Sequence, residues 1–124
     1  MGEIKSYQDL LIWQKGKEIT LKVYHLTNSF PKEELYALTS QIRRCSVSIP
    51  SNIAEGWGRG TDKNIINFLS ISKGSLYELE TQLIIAFDLK YINETQLNEI
   101  LILINEVSKM IVSLIGKIKL RNGE

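Results

Sequence analysis

A chain of 124 residues has room for one sizeable hydrophobic core but not for two, so a single domain is the default expectation. Its 44% apolar and 23% charged residues exclude the apolar-poor, charge-rich pattern of a disordered chain. Fifteen basic against 14 acidic residues leave a formal net charge of +1, which excludes whole-chain attraction to a polyanion and requires any basic site to be local.

In the first segment Ile12, Gly16, Ile19, Val23, Leu26 and Phe30 recur at alternating steps of four and three. Lys15, Lys17, Glu18 and Lys22 fall off that stripe, which is the spacing of a helix with one apolar seam. Ser6 is placed to cap it with Asp9 three residues on, and Asn28-Ser29 before Phe30-Pro31 ends it, so a helix is predicted over about 7–28. Pro31 suits a first helical position, where its missing N–H has no partner to lose, and Glu33 and Glu34 favour the positive end of the helix dipole.

The second seam is Leu35, Leu38, Ile42, Cys45, Ile49 and Ile53, predicting a helix over about 32–57. It runs straight through Pro50, whose missing N–H deletes the bond to the Ser46 carbonyl and whose ring should bend the helix. The stretch Gly56-Trp57-Gly58-Arg59-Gly60 is too glycine-rich to stay helical for long and marks a turn. Thr61 caps a third helix over about 62–90, with Ile65, Leu69, Ser72, Leu76, Leu79, Leu83 and Ala86 on its seam. Asn93 caps a fourth over about 94–120, with Leu97, Ile100, Ile104, Val107, Ile111, Leu114 and Ile118 in three-four alternation.

Long helices joined by connections of a few residues must run antiparallel to their neighbours, so the fold class expected is an all-α, up-down-up-down four-helix bundle. The seams do not use all the apolar residues. Leu101, Ile102, Leu103, Met110, Val112 and Ile115 on the fourth helix and Ile66, Phe68, Ile71, Ile84, Ile85 and Phe87 on the third call for cover from other copies of the chain, predicting a homo-oligomer.

Few residues offer chemistry. His25 lies off the first seam with no recognisable nucleophile beside it, and Cys45 sits between Ile42 and Ile49 as a small buried apolar residue. One His and one Cys without Glu-x-x-His pairs give no transition-metal set, so the expectation is no catalytic residue, no metal and no cofactor. A lone cysteine, no basic-then-apolar leader and no apolar run near the roughly 18 residues of a membrane span point to a cytoplasmic protein without membrane contact. Met1-Gly2 with Ser6 fits an acylation pattern and Asn93-Glu94-Thr95 a glycosylation triplet, but the first is short enough to arise by chance and the second reads as a helix start.

Gly74, interior to the third helix, suggests close helix approach. Glu78 and Glu80 are expected to pair with Arg43 and Arg44 across the bundle, and Glu55, Asn52 and Arg59 to cluster near Pro50. Arg59 and Lys63 bracket the start of the third helix, whose free N–H groups behind Thr61 could receive a phosphate despite Asp62. Arg43, Arg44, Arg59 and Lys63 are thus the candidate nucleic-acid-binding residues, with Lys117, Lys119 and Arg121 as a further basic tail.

The run Gln41-Ile42-Arg43-Arg44, then Ser48-Ile49-Pro50-Ser51-Asn52-Ile53-Ala54-Glu55-Gly56 and Arg59, resembles the signature of the four-helix-bundle proteins encoded in intervening sequences of bacterial 23S ribosomal RNA genes. Gly74-Ser75-Leu76-Tyr77-Glu78-Leu79-Glu80-Thr81-Gln82-Leu83 resembles that family's third helix and Leu11-Ile12-Trp13-Gln14-Lys15 its first, so the likeness spans about residues 7 to 118. Pro50, Asn52, Glu55, Gly56 and Gly74 are its structural motif positions here. The resemblance implies a bacterial cytoplasmic bundle, a ring-like homopentamer and no enzymatic activity. A similar bundle, the accessory variability protein of diversity-generating retroelements, binds nucleic acid together with a reverse transcriptase, but its surface is strongly basic, whereas five copies of this chain would carry only about +5. The functional expectation is a non-catalytic homo-oligomer that binds RNA or a ribonucleoprotein, and its rival is a protein-binding scaffold with no nucleic-acid role.

Overall fold

The computed structural model describes residues 3–123; Met1, Gly2 and Glu124 lie outside the described residues, and with them the Gly2 of the acylation pattern. Among the described residues there is no strand. Four helices, α1 (Leu11–Thr27), α2 (Leu38–Arg59), α3 (Asp62–Asp88) and α4 (Glu94–Arg121), are accompanied by 3₁₀ turns at Tyr7–Asp9 and Lys32–Glu34.

The ends of these helices follow local chemistry more than the apolar seam. Ser6 and Asp9 form a full capping box, but it caps the 3₁₀ turn, and the extended Leu10 (ψ 125°) separates that turn from α1, which begins at Leu11 and not at 7. Likewise α2 begins at Leu38 and not at 32, because Ala37 (φ −122°, ψ −108°) breaks the path from the Lys32–Glu34 turn. Leu35, expected on the seam, is therefore exposed. The Glu34 carboxylate takes over the start of α2, accepting from Leu38 N at 3.4 Å and from the Tyr91 hydroxyl at 2.8 Å.

At its other end α2 passes through Gly56 and Gly58 and stops at Arg59, where Gly60 adopts the left-handed conformation (φ 79°). α3 closes with Lys90 left-handed (φ 67°), its N–H on the Phe87 carbonyl and the Tyr91 N–H on the Ala86 carbonyl, each at 2.9 Å.

Each helix packs on two others, α1 on α2 and α4, and α3 on α2 and α4. Arg43 reaches Thr27, Thr20 reaches Ser46, and Gly16 lies against Ile49 and Ile53, so the pairings descend α1 as they climb α2. Cys45 with Ser75, Ile49 with Ser72 and Gly56 with Ile65 repeat that pattern between α2 and α3. This is the pattern antiparallel neighbours make. The core inside is Ile19, Val23, Ile42, Ile49, Leu76, Leu79, Leu83, Val107 and Ile111, all fully buried, with the Phe30 and Tyr91 rings in tilted contact, centroids 5.3 Å apart, at one end.

Pro50 is buried in the middle of α2, and the helix runs on through it. The carbonyl it orphans is that of Ser46, which is completely buried, and the Thr20 hydroxyl of α1 donates to that oxygen at 2.9 Å. From the opposite side the Ser72 hydroxyl of α3 donates to the Ile49 carbonyl at 2.9 Å. Helices on both sides thus bond into the backbone of α2 around the proline.

Gly56 is where α3 comes closest: a Cβ there would stand 2.8 Å from Phe68 Cβ and 3.3 Å from Ile65 Cα. Gly74, expected to mark close approach, faces open space instead, since it points away from the seam that Leu76 and Leu79 bury.

Two outcomes follow for stability, each read by denaturant unfolding at fixed protomer concentration. Thr20→Val should cost about 1–3 kcal/mol by stranding the Ser46 carbonyl, and in a Pro50→Ala background, where a backbone N–H is restored, that cost should fall by roughly half or more. Equal costs in both backgrounds would remove Thr20 as the substitute donor. Gly56→Ala should destabilise by about 1–3 kcal/mol through overpacking, whereas Gly74→Ala should stabilise by about 0.5–1 kcal/mol through helix propensity, and the reverse order would contradict the packing described.

Candidate functional site

The candidate basic residues do not converge. Arg43 leans towards α1, its Nε donating to Thr27 Oγ1 at 2.8 Å, its Nη2 to Asn28 Oδ1 at 3.4 Å, and its guanidinium lying 4.8 Å over the Tyr24 ring. It ties two helices together. Arg44, turned about 100° further round the helix, lines a groove of ≈ 510 Å³ between α2 and α3 with Gln41, Ser48, Asn52, Ile71 and Glu78. Among the described residues Arg44 makes no ion pair or side-chain hydrogen bond, so the pairs expected between Arg43 or Arg44 and Glu78 or Glu80 are not formed.

Asn52 also departs from expectation. Its Nδ2 donates to the Ser48 carbonyl one turn back at 2.8 Å, capping a run in which the Ser48 hydroxyl donates to the Cys45 carbonyl at 2.6 Å. Glu55 and Arg59 pair without it, at 3.5 Å, and Arg59 lies 5.1 Å over the Phe68 ring. Fifteen residues of helix separate Arg44 from Arg59, roughly 22 Å along the axis, so the four candidates divide between opposite ends of the bundle.

A different grouping appears where α2 ends, α3 begins and α4 ends. Arg121 Nη2 sits 2.7 Å from Asp62 Oδ1, and that hydrogen bond holds the Asp62 carboxyl below the usual carboxylate range. The contact brings Lys117, Lys119 and Arg121 to the end that already holds Arg59 and Lys63. The antiparallel order expected from the sequence puts those two ends side by side but does not say which residues pair there, since the two partners are 59 residues apart. At the helix start itself Thr61 Oγ1 accepts from Asn64 N at 3.2 Å, so the cap uses one of the N–H groups a phosphate would need.

Groups with catalytic potential stand apart. Cys45 is buried, its Sγ donating to the Ser75 carbonyl at 3.2 Å, and burial together with the nearby Glu78 charge pushes its pKa up to about 12. His25 lies on the surface between α1 and α4 among Glu18, Lys22, Gln96 and Glu99. Among the described residues no group of three His, Cys, Asp or Glu side chains could hold a metal ion, and no helix is long and apolar enough to cross a membrane.

Comparison with known proteins places the chain in a family. The model of the 23S rRNA-intervening sequence protein family matches residues 8–113. The chain belongs to that family. One solved structure similar to it is a protein of unknown function from the S23 ribosomal protein family of Bacteroides thetaiotaomicron. It is 25% identical with a TM-score of 0.75, over 85% of this chain and 98% of that one. No curated protein matches. In this 23S rRNA-intervening sequence protein Pro50 and Gly56 serve the packing of α2 on its neighbours, and Asn52 bonds back within α2 itself.

The thiol gives a direct check on the buried state of α2. At pH 8 iodoacetamide should alkylate Cys45 in the native protein roughly 10²–10³-fold more slowly than in the unfolded chain, given the rise in its pKa. A native rate close to the unfolded one would mean that α2 opens readily from α3.

Proposed function

We propose that this 23S rRNA-intervening sequence protein is a non-catalytic, homo-oligomeric cytoplasmic bundle that binds RNA or a ribonucleoprotein through its basic end. The observation that carries the reading is the gathering of Arg59, Lys63, Lys117, Lys119 and Arg121 at one end, where α2 and α4 finish and α3 starts, against Glu55, Asp62 and the Asp9 of the neighbouring 3₁₀ turn, whose carboxylate accepts from the Lys5 and Ser6 N–H groups. A near-neutral chain can attract a polyanion only through such local clustering. Glu55 and Asp62 each take one cation, which leaves Lys63, Lys117 and Lys119 outside the ion pairs found among the described residues.

Self-association multiplies this effect. Five copies, the number the family resemblance implies, would present the same cluster five times, so that a weak contact per copy becomes appreciable avidity for a folded RNA. The inert Cys45 and the isolated His25 support a binding role over a catalytic one.

Anisotropy titrations with a structured RNA between 50 and 300 mM salt test the proposal. Affinity should fall steeply as salt rises, and Lys63→Gln and Lys119→Gln should each weaken binding at every salt concentration and lower the slope of log K against log salt by about 1 for each copy that touches the RNA. Absence of binding at the lowest salt would discard the nucleic-acid role and leave a protein-binding scaffold.

A further inference from the structure

We infer that an unpaired base of the bound RNA leaves its stack and enters an apolar cavity at the basic end of the bundle, where it stacks on Trp57. The inference rests on the RNA reading proposed above and adds which form of RNA is taken and where.

The cavity, ≈ 260 Å³, lies where α2 and α4 finish and α3 starts. Helical spacing builds its walls. On α3 Leu69 is buried, Ile65 lies one turn nearer the end and Asp62 one turn beyond that. On α4 Leu114, Ile118 and Arg121 make the same steps, so the two apolar walls end in the Arg121–Asp62 ion pair at the rim. From α2 come Ile53 and, one turn on, Trp57, and Ile4 and Leu10 of the N-terminal segment complete the lining.

Size and lining decide what fits. A dry apolar cavity of roughly 150 Å³ holds a benzene ring, so this one has room for a larger planar ring with its polar edge turned to the rim. Trp57 is half-buried, and the hydrogen bonds of α2 on either side of it, Asn52 to Ser48 and Arg59 to Glu55, leave its indole N–H unused. Tyr7 packs on Trp13 and Phe30 on Tyr91, whereas no other ring lies against Trp57 among the described residues. An open aromatic face of this kind accepts any nucleobase, because every base has a π-face.

The surroundings select a base on a phosphate chain over an uncharged apolar molecule. Beside the cavity, sharing Leu10, Ile12 and Leu114 with it, runs a groove of ≈ 380 Å³ between the start of α1 and α4. Lys109, Ser113 and Lys117 border this groove and no carboxylate does; the two lysines stand roughly 12 Å apart along the helix axis. The acids nearby are largely engaged. Glu106 pairs with Lys15 at 2.9 Å, and the Asp9 carboxylate accepts from the Lys5 and Ser6 N–H groups at 2.8 and 3.2 Å, while Glu3 is exposed. Arg121 gives Asp62 one donor, Nη2, and a guanidinium has others to offer a phosphate or a base edge. Cations along a groove that leads to an apolar, ring-walled slot are how proteins hold single-stranded nucleic acid, backbone on the charges and base on the ring. A base in a duplex is stacked on both faces and paired at its edge, and cannot enter.

Anisotropy and tryptophan emission with two probes, a hairpin RNA with an unpaired loop and a blunt duplex of its stem, test the cavity. In a Trp13→Phe background, which leaves Trp57 as the single tryptophan, the hairpin should quench the emission and bind about 10-fold tighter than the duplex. Trp57→Leu, which keeps the wall apolar, should weaken hairpin binding about 10-fold and leave duplex binding unchanged. Leu114→Phe fills the cavity from α4 without altering a charge; it should have the same effect, and replaces Trp57→Leu if that variant loses helicity by circular dichroism. A hairpin that binds no tighter than the duplex, or that binds without quenching Trp57, would overturn the base site and leave RNA binding by the basic end in place. Absence of binding by either probe at the lowest salt would overturn the RNA reading and this inference with it.

Discussion

Every helical carbonyl buried in a bundle needs a donor, and a proline in mid-helix removes one that the backbone would otherwise supply. The arrangement of α1, α2 and α3 follows from how this chain meets that demand. Thr20 donates to the Ser46 carbonyl from one side, and Ser72 donates to the Ile49 carbonyl from the other. These bonds fix the height of both neighbours against α2, which apolar seams alone do not, because a row of Ile and Leu can slide by a turn at modest cost. Gly56 adds the third restraint, since only its missing Cβ allows the α3 backbone so near.

With α2 held on both sides, its polar residues are sorted by direction. Arg43 is committed to α1 through Thr27 and Asn28, and Asn52 to its own helix through Ser48. Neither is available to a ligand in the way a sequence motif rich in Arg and Asn invites one to think. Apart from Arg44, the candidate cations that remain accessible are those at the opposite end, where Arg121 meets Asp62 and the last turn of α4 joins the first of α3. The overall charge of +1 therefore conceals an uneven distribution, with the basic cluster at one end and Glu80, Asp88 and Glu99 together with Arg43 and Arg44 in the other half.

The four helices were legible because each depends on a short repeat. Ile12 to Val23, Ile42 to Ile53, Leu69 to Ala86 and Leu97 to Ile111 with Ile118 are buried where three-four spacing puts them, and Leu114 is half-buried. Caps were legible for the same reason: Thr61 and Asn93 each bond an N–H three residues away. Leu35 and Gly74 misled because both sit on the right repeat, yet Leu35 belongs to a tighter turn that rotates it outwards and Gly74 points away from its neighbours. Sequence by itself determined which residues form helices and which sides of them are apolar, since both are set within a turn or two of chain. Only the tertiary structure decided that Thr20 serves Pro50, that Arg43 turns to α1 and that Arg121 joins Asp62, because those choices depend on which side chains from distant segments come within hydrogen-bond reach.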